Sequence, residues 1–192
     1  MPLNIPILLT WLRIILIPLM IAVYYVPESW VHGFGRDLAA TLIFVVAAAT
    51  DWLDGYLARR LDQTSAFGAF LDPVADKLMV ASALIMLVQL GRLDATIAAI
   101  IIGREITISA LREWMAQIGA HKSVAVSMIG KIKTTAQMSA IPLLLYQAPV
   151  DGFDILQAGT WLIYIAAVLT LWSMGYYMRM AWPHLAEQDR MR

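Results

Sequence analysis

Long apolar runs, recurring six times between short connectors, constrain this chain more than any other feature. They fall at residues 7–26, 38–60, 67–90, 94–117, 124–147 and 155–178. Each is close to the ~20 residues a helix needs to cross the hydrocarbon core of a bilayer. None alternates with the period of two that a barrel strand requires, so helices are the spanning structure these runs predict. Only 15% of the residues are charged, against about 25% in a soluble domain. The 14 Lys+Arg balance the 14 Asp+Glu, so no overall field attracts nucleic acid, and the absence of Cys removes thiolate metal sites and a Cys nucleophile. The connectors have turn composition: Pro27 to Arg36 with Gly33 and Gly35, Gly91 to Asp94, and Ala148 to Phe153. No internal repeat or shift of composition divides the chain. The expected architecture is all-α and polytopic, a single membrane-embedded domain over residues 1–192. The first run lacks a basic leader and a small-x-small cleavage pattern, so it reads as a span rather than a cleaved signal.

Orientation follows from Lys and Arg. With the N-terminus in the cytoplasm, the outer connectors hold only Arg36 and Arg92, and the other basic residues lie towards the inner side. Both termini are therefore expected inside. Under this topology the polar clusters within the spans fall at the end of helix 2, the start of helix 3, the end of helix 4 and the start of helix 5, all in the cytoplasmic half. Charges at membrane depth are costly and mark a functional cavity by default. The expectation is six helices around a polar cavity open to the cytosol.

The most informative stretch reads Asp51-Trp-Leu-Asp54-Gly55-Tyr-Leu-Ala58-Arg59, then Gly68-Ala-Phe-Leu-Asp72-Pro-Val-Ala-Asp76. Asp51 and Asp54, three apart, share a helix face, which Gly55 and Ala58 extend with almost no bulk. Gly68, Asp72 and Asp76 fall along one stripe of the next helix. A short inner turn would set the two carboxylate pairs against each other, where they repel unless a cation is present. Hard divalent ions prefer carboxylate oxygen and can clamp a diphosphate. The small residues would then admit a bulky nucleotide, and Arg59 would neutralise phosphate. Pro73 either starts a helix capped by Asp72 or bends a continuous one. Taken singly, an Asp at a helix end is usually capping and a Gly is usually packing; together, in this register, they point to a site.

This pattern, Asp-x-x-Asp-Gly-x-x-Ala-Arg, eight residues, then Gly-x-x-x-Asp-x-x-x-Asp, resembles the signature of the CDP-alcohol phosphatidyltransferase family at every fixed position. The resemblance implies a six-helix membrane core, a homodimer, and transfer of a phosphatidyl group from a CDP-linked lipid to an alcohol with release of CMP. It implies two divalent metal ions, Mg2+ or Mn2+, on Asp51, Asp54, Asp72 and Asp76, with Asp76 also the catalytic general base. It places Gly55, Arg59 and Gly68, together with Asn4 and Thr10, at the CDP moiety.

Asn4 to Arg13, Arg104-Glu105-Ile-Thr-Ile-Ser109-Ala-Leu-Arg112-Glu113 and Gly130-Lys131-Ile-Lys133-Thr134-Thr-Ala-Gln137 look like the branch of the family whose acceptor is sn-glycerol 3-phosphate. The implied reaction joins CDP-diacylglycerol and sn-glycerol 3-phosphate, giving phosphatidylglycerophosphate and CMP at the cytoplasmic side of the inner membrane. Arg13, Arg104, Arg112 and Lys133 are then the candidates for the acceptor phosphate, since cations at cavity depth neutralise and hydrogen-bond such a group. The plainer alternatives are that Arg112 pairs with Glu105 and that Lys131, pointing about 160° away from Lys133 on a helix, snorkels to the headgroups. Trp161, Trp172, Tyr176 and Tyr177 need only interfacial or packing roles. His32, His121 and His184 show no metal-ligand spacing. The alternative within the family is another acceptor, namely inositol phosphate, serine or phosphatidylglycerol, of which free serine would need less positive charge at cavity depth. A divalent-cation or phosphate transporter would place its site at the midplane between inverted repeats, and an intramembrane prenyltransferase lacks the Asp-Gly-x-x-Ala-Arg element.

Overall fold

A computed structural model describes residues 5–61, 66–119, 128–149 and 152–190. The described residues form six α-helices: α1 (Ile5–Ala22), α2 (Gly33–Leu61), α3 (Ala66–Gln89), α4 (Ala95–Gln117), α5 (Met128–Tyr146) and α6 (Ile155–Arg190). Each covers most of one of the six apolar runs, so element type and order match the expectation. Two extents differ. Gly33 and Gly35 lie in the first turn of α2 rather than in a connector, and α6 continues past the apolar run to Arg190. Pro73 lies inside α3, eight residues from its start, so Asp72 is a helical residue and not a cap. Pro73 has no N–H, which deprives the carbonyl one turn back of its helical donor.

Three helices carry stretches long and apolar enough to cross a membrane: Ile7–Tyr25, Gly33–Asp51 and Ile155–Pro183. Polarity is distributed as a bilayer demands. Large apolar side chains face outward, among them Ile15, Leu42, Trp161, Val168 and Trp172, while Thr10, Arg13, Arg104, Lys133, Gln137 and Ser173 are buried. The chain is an all-α membrane protein.

The main core is built from Phe44, Leu84, Leu87, Ile101, Ile141, Leu144 and Ile163, which join α2 through α6. Packing of α5 on α6 is close because Gly159 has no side chain; a Cβ there would meet Leu144 Cγ at 3.0 Å. A smaller cluster of Ile108, Met115, Tyr177 and Ala181 joins α4 to α6.

One tight turn organises the end of the bundle remote from the acidic stretch. After α3, Gly91 adopts φ 69°, with Gly91 N–H donating to the Val88 carbonyl at 3.0 Å and Arg92 N–H to Leu87 at 2.9 Å. This is the Schellman pattern, which a glycine adopts without a Cβ penalty. Asp94 then caps α4, accepting from the Thr96 N–H at 2.7 Å. That hydrogen bond holds the Asp94 carboxyl below its ordinary 3.8. Between them Arg92 donates twice to Asp37 at the start of α2, both at 2.8 Å, and to the Leu145 carbonyl at the end of α5 at 2.7 Å. Tyr24, in the 3-10 turn after α1, donates to the same carboxylate at 3.3 Å. One guanidinium thus staples four parts of the chain.

Candidate active site

The polar residues of the sequence pattern gather at the other end, in two groups. The first lies between α1, α2 and α3. Thr10 donates to Asp72 Oδ1 at 2.5 Å, and Arg13 Nη1 contacts Asp76 Oδ1 at 2.5 Å and Asp51 Oδ1 at 3.1 Å. The contacts run in register, 10 with 72 and 13 with 76, as expected of two parallel helices with faces repeating every three to four residues. Arg13 is completely buried while Asp51 and Asp76 remain partly open, at 41% and 37% side-chain exposure. Arg13 was expected beside Arg104, Arg112 and Lys133. It stands instead among the carboxylates, where a buried guanidinium is stabilised only by such neighbours.

Gly68 is buried on α3, on the stripe of Asp72 and Asp76. Asp54, Gly55 and Arg59 belong to α2 and Lys131 to α5, but their side chains lie outside the described part of the structure, as does the whole of Asn4. Among the described residues no three acidic or His side chains are close enough to hold a metal ion. The donor set nevertheless suits a hard cation. Carboxylate oxygens from two helices already converge on one positively charged nitrogen, and every available ligand is oxygen.

The second group lies between α4, α5 and α6. Glu105 accepts from Lys133 and, at 3.2 Å, from Arg104 Nη1. Arg104 Nη2 donates to Ser173 Oγ at 3.1 Å, and Arg112 Nη2 donates to the Tyr177 hydroxyl at 3.2 Å. Arg104, Glu105 and Arg112 all act electrostatically on Lys133. Arg112 therefore does not take Glu105 as its partner; Arg104 and Lys133 do. Arg104 and Lys133 meet one carboxylate and Arg112 meets a neutral hydroxyl, so the three cations of this group exceed its contacting acid by two charges. The Nε atoms of Arg104 and Arg112 and Oε1 of Gln137 are buried without a hydrogen-bond partner among the described residues. Buried polar atoms are normally paired, so these are poised for a ligand that accepts from the arginines. Between α3 and α4 runs a groove of about 120 Å3, apolar except for Lys77 and Glu105.

Tyr177 is the residue sequence reasoning missed. An aromatic near the end of an apolar span suggests the interfacial belt, and Trp161, Trp172 and Tyr176 are indeed exposed. Tyr177 is fully buried. The available signal was Ser173, one turn earlier on the same face of a span otherwise poor in polar residues.

Known proteins resemble this chain over nearly its whole length. The family model described as CDP-alcohol phosphatidyltransferase matches residues 3–172. A protein of Pseudomonas fluorescens named CDP-diacylglycerol–glycerol-3-phosphate 3-phosphatidyltransferase is 53% identical over 97% of this chain and 94% of its own length. Proteins of the same name from Yersinia enterocolitica and Escherichia coli are 51% and 52% identical, over 97% and 98% of this chain and their entire lengths. The chain belongs to the CDP-alcohol phosphatidyltransferase family.

Proposed function

We propose that this protein transfers the phosphatidyl group of CDP-diacylglycerol to sn-glycerol 3-phosphate, releasing CMP, as the names of its half-identical relatives state for them. The observation that carries the proposal is a separation of charge at one end of the bundle. An acidic group on α1, α2 and α3 lies at the same end as a basic group on α4, α5 and α6. The excess of two positive charges suits a phosphate monoester, which carries about −1.5 to −2 near neutrality. A neutral acceptor such as serine would leave that charge uncompensated in a low-dielectric setting.

In this scheme all six helices span the inner membrane, both termini are cytoplasmic, the two groups line a cytosol-facing cavity, and the enzyme is a homodimer. Asp51, Asp54, Asp72 and Asp76 hold two divalent ions, Mg2+ or Mn2+. The ions would neutralise the diphosphate and polarise the phosphorus under attack. Asn4, Thr10, Gly55, Arg59 and Gly68 receive the CDP moiety, with Thr10 orienting Asp72 through its hydroxyl. Arg104, Arg112 and Lys133 bind the acceptor phosphate, and Arg13 balances the charge of Asp51 and Asp76. Asp76 accepts the proton of the acceptor hydroxyl as its oxygen bonds to the β-phosphorus. The bond from that phosphorus to the CMP oxygen breaks, and CMP leaves with the electron pair. Position compensates for the weak basicity of a carboxylate, whose reference pKa is about 4.

The test is CMP release by detergent-solubilised protein given CDP-diacylglycerol and a panel of alcohols. Turnover with sn-glycerol 3-phosphate well above that with serine, inositol phosphate or phosphatidylglycerol is expected. Preference for an uncharged acceptor would refute the proposal.

A further inference from the structure

Along α6, Ser173 and Tyr177 are one turn apart, and both are buried against α4. Their partners on α4, Arg104 and Arg112, are eight residues apart and therefore on one face. The contacts form a ladder between two parallel helices: Ser173 takes Arg104 Nη2 at 3.1 Å, and the Tyr177 hydroxyl takes Arg112 Nη2 at 3.2 Å. The Tyr177 ring lies between these rungs, its centroid 5.2 Å from the Arg112 guanidinium carbon and 5.9 Å from that of Arg104. Both distances are within the range at which an aromatic face attracts a cation. Ser173 Oγ donates in turn to the Thr170 carbonyl at 3.0 Å, which fixes the direction of its accepting lone pairs. Ile108, Met115 and Ala181 pack around Tyr177, so the ring cannot turn away.

We infer that Tyr177 and Ser173 are positioning residues for the acceptor site: they hold Arg104 and Arg112 extended and pre-aimed, so that each guanidinium meets the acceptor phosphate without first losing rotamer freedom. The inference rests on the proposed role of Arg104 and Arg112 and extends it to a helix that carries none of the family's sequence pattern. Two features set this arrangement apart from ordinary packing. The partners that α6 supplies are neutral, two hydroxyls and a ring, so they immobilise the arginines without adding to the one carboxylate, Glu105, that already meets Arg104. They also engage Nη2 in each case and leave each Nε without a partner among the described residues. Arginine side chains are rich in rotamers, and ordering one on binding weakens affinity unless it is already ordered.

The experiment measures KM for glycerol 3-phosphate and for CDP-diacylglycerol, with kcat, in Tyr177→Phe, Tyr177→Leu, Ser173→Ala and Ser173→Thr, alone and with Arg112→Ala. Tyr177→Phe keeps the ring and its packing and loses only the accepting hydroxyl, so it should fold. It is expected to raise KM for glycerol 3-phosphate about three- to tenfold, the weight of one hydrogen bond, with kcat and the lipid KM within about twofold. Tyr177→Leu should raise it further, and Ser173→Thr should retain what Ser173→Ala loses. In the Arg112→Ala background, Tyr177→Phe should add nothing, because it acts through Arg112. Additive effects in that background, or equal changes in both KM values, would overturn the inference. Failure of the underlying acceptor assignment has a separate signature: Arg112→Ala alone would leave the glycerol 3-phosphate KM unchanged.

Discussion

Removing Arg92 should unfold this protein earlier on heating without slowing its chemistry. Its side chain and that of Asp37 are only 11% and 14% exposed, and their contact is a two-pronged fork at 2.8 Å. In Arg92→Ala the Asp37 carboxylate stays buried with Tyr24 as the weaker of its two described partners, and the Leu145 carbonyl loses its donor. Breaking such a pair from one side costs about 3–5 kcal/mol, mostly the uncompensated charge. At about 2–4 °C per kcal/mol for a chain of this size, Tm should fall by roughly 6–20 °C. Arg92→Lys keeps the charge but cannot fork, so it should lie between wild type and Arg92→Ala. Replacing both partners, Asp37→Leu with Arg92→Leu, removes the stranded charge and should recover most of the loss. The assay is thermal unfolding in one detergent at fixed protein concentration, paired with initial rates well below the transition. A Tm change in Arg92→Ala under about 2 °C, or a double variant as labile as the two single losses added together, would show that the staple does not hold the helix ends.

The remaining expectations concern the site. Activity should vanish in excess EDTA and return with Mg2+ or Mn2+; full turnover in chelator would remove the metal assignment. Lys133→Ala should raise KM for glycerol 3-phosphate more than for the lipid nucleotide, by roughly ten- to a hundredfold for a charged hydrogen bond, and Arg59→Ala should do the reverse. Asp76→Asn should cut kcat at least about a hundredfold while CDP-diacylglycerol still binds, whereas Asp51→Asn should weaken nucleotide binding itself. Asp94 titrates below 3.8 because its carboxylate accepts the Thr96 N–H. A depressed native pKa contributes stability above the unfolded value that disappears as pH falls through the native one. Melting curves from pH 6 down to pH 3 should therefore be less steep in Asp94→Asn, which caps without titrating.

Much of the fold was legible because a bilayer leaves few choices. Apolar runs of spanning length must be helices, and short connectors make successive helices antiparallel. The acidic stripe was legible for the same reason, since spacing by three and four fixes a face. What periodicity does not encode is the partner across the interface. Arg13 and Asp76 are 63 residues apart in sequence, and nothing local distinguishes a guanidinium aimed at carboxylates from one aimed at a substrate phosphate. Arg92 reads from the sequence as a connector charge, and Asp37 sits unremarked at the edge of an apolar run. Their meeting depends on the turn at Gly91 and on α5 ending beside it. Pro73 could cap or interrupt a helix, and the local sequence is compatible with both; in the structure it lies inside α3. The extension of α6 was hidden because its last residues, His184 to Arg190, are mostly polar and no longer carry the apolar signal that marked the span.

Each charge group includes a pair of parallel helices that are not consecutive in sequence, α1 with α3 and α4 with α6. No connector joins the members of either pair directly. Their register is therefore set by packing along the whole length of the bundle and not by a turn beside the site. The Arg92 staple ties α1, α2, the α3–α4 turn and α5 at the far end, and the core between Phe44 and Ile163 carries that alignment towards the carboxylates. At the site end, ion pairs and hydrogen bonds tie α1 to α2 and α3, and α4 to α5 and α6. A bundle clamped at one end and held by exchangeable polar contacts at the other can adjust the acidic and basic groups by small helix movements. It does so without losing the apolar packing that keeps the chain folded in the membrane. Stability and catalysis should accordingly separate by position: substitutions near Arg92 change Tm and spare KM, whereas Tyr177→Phe changes the acceptor KM and nearly spares Tm.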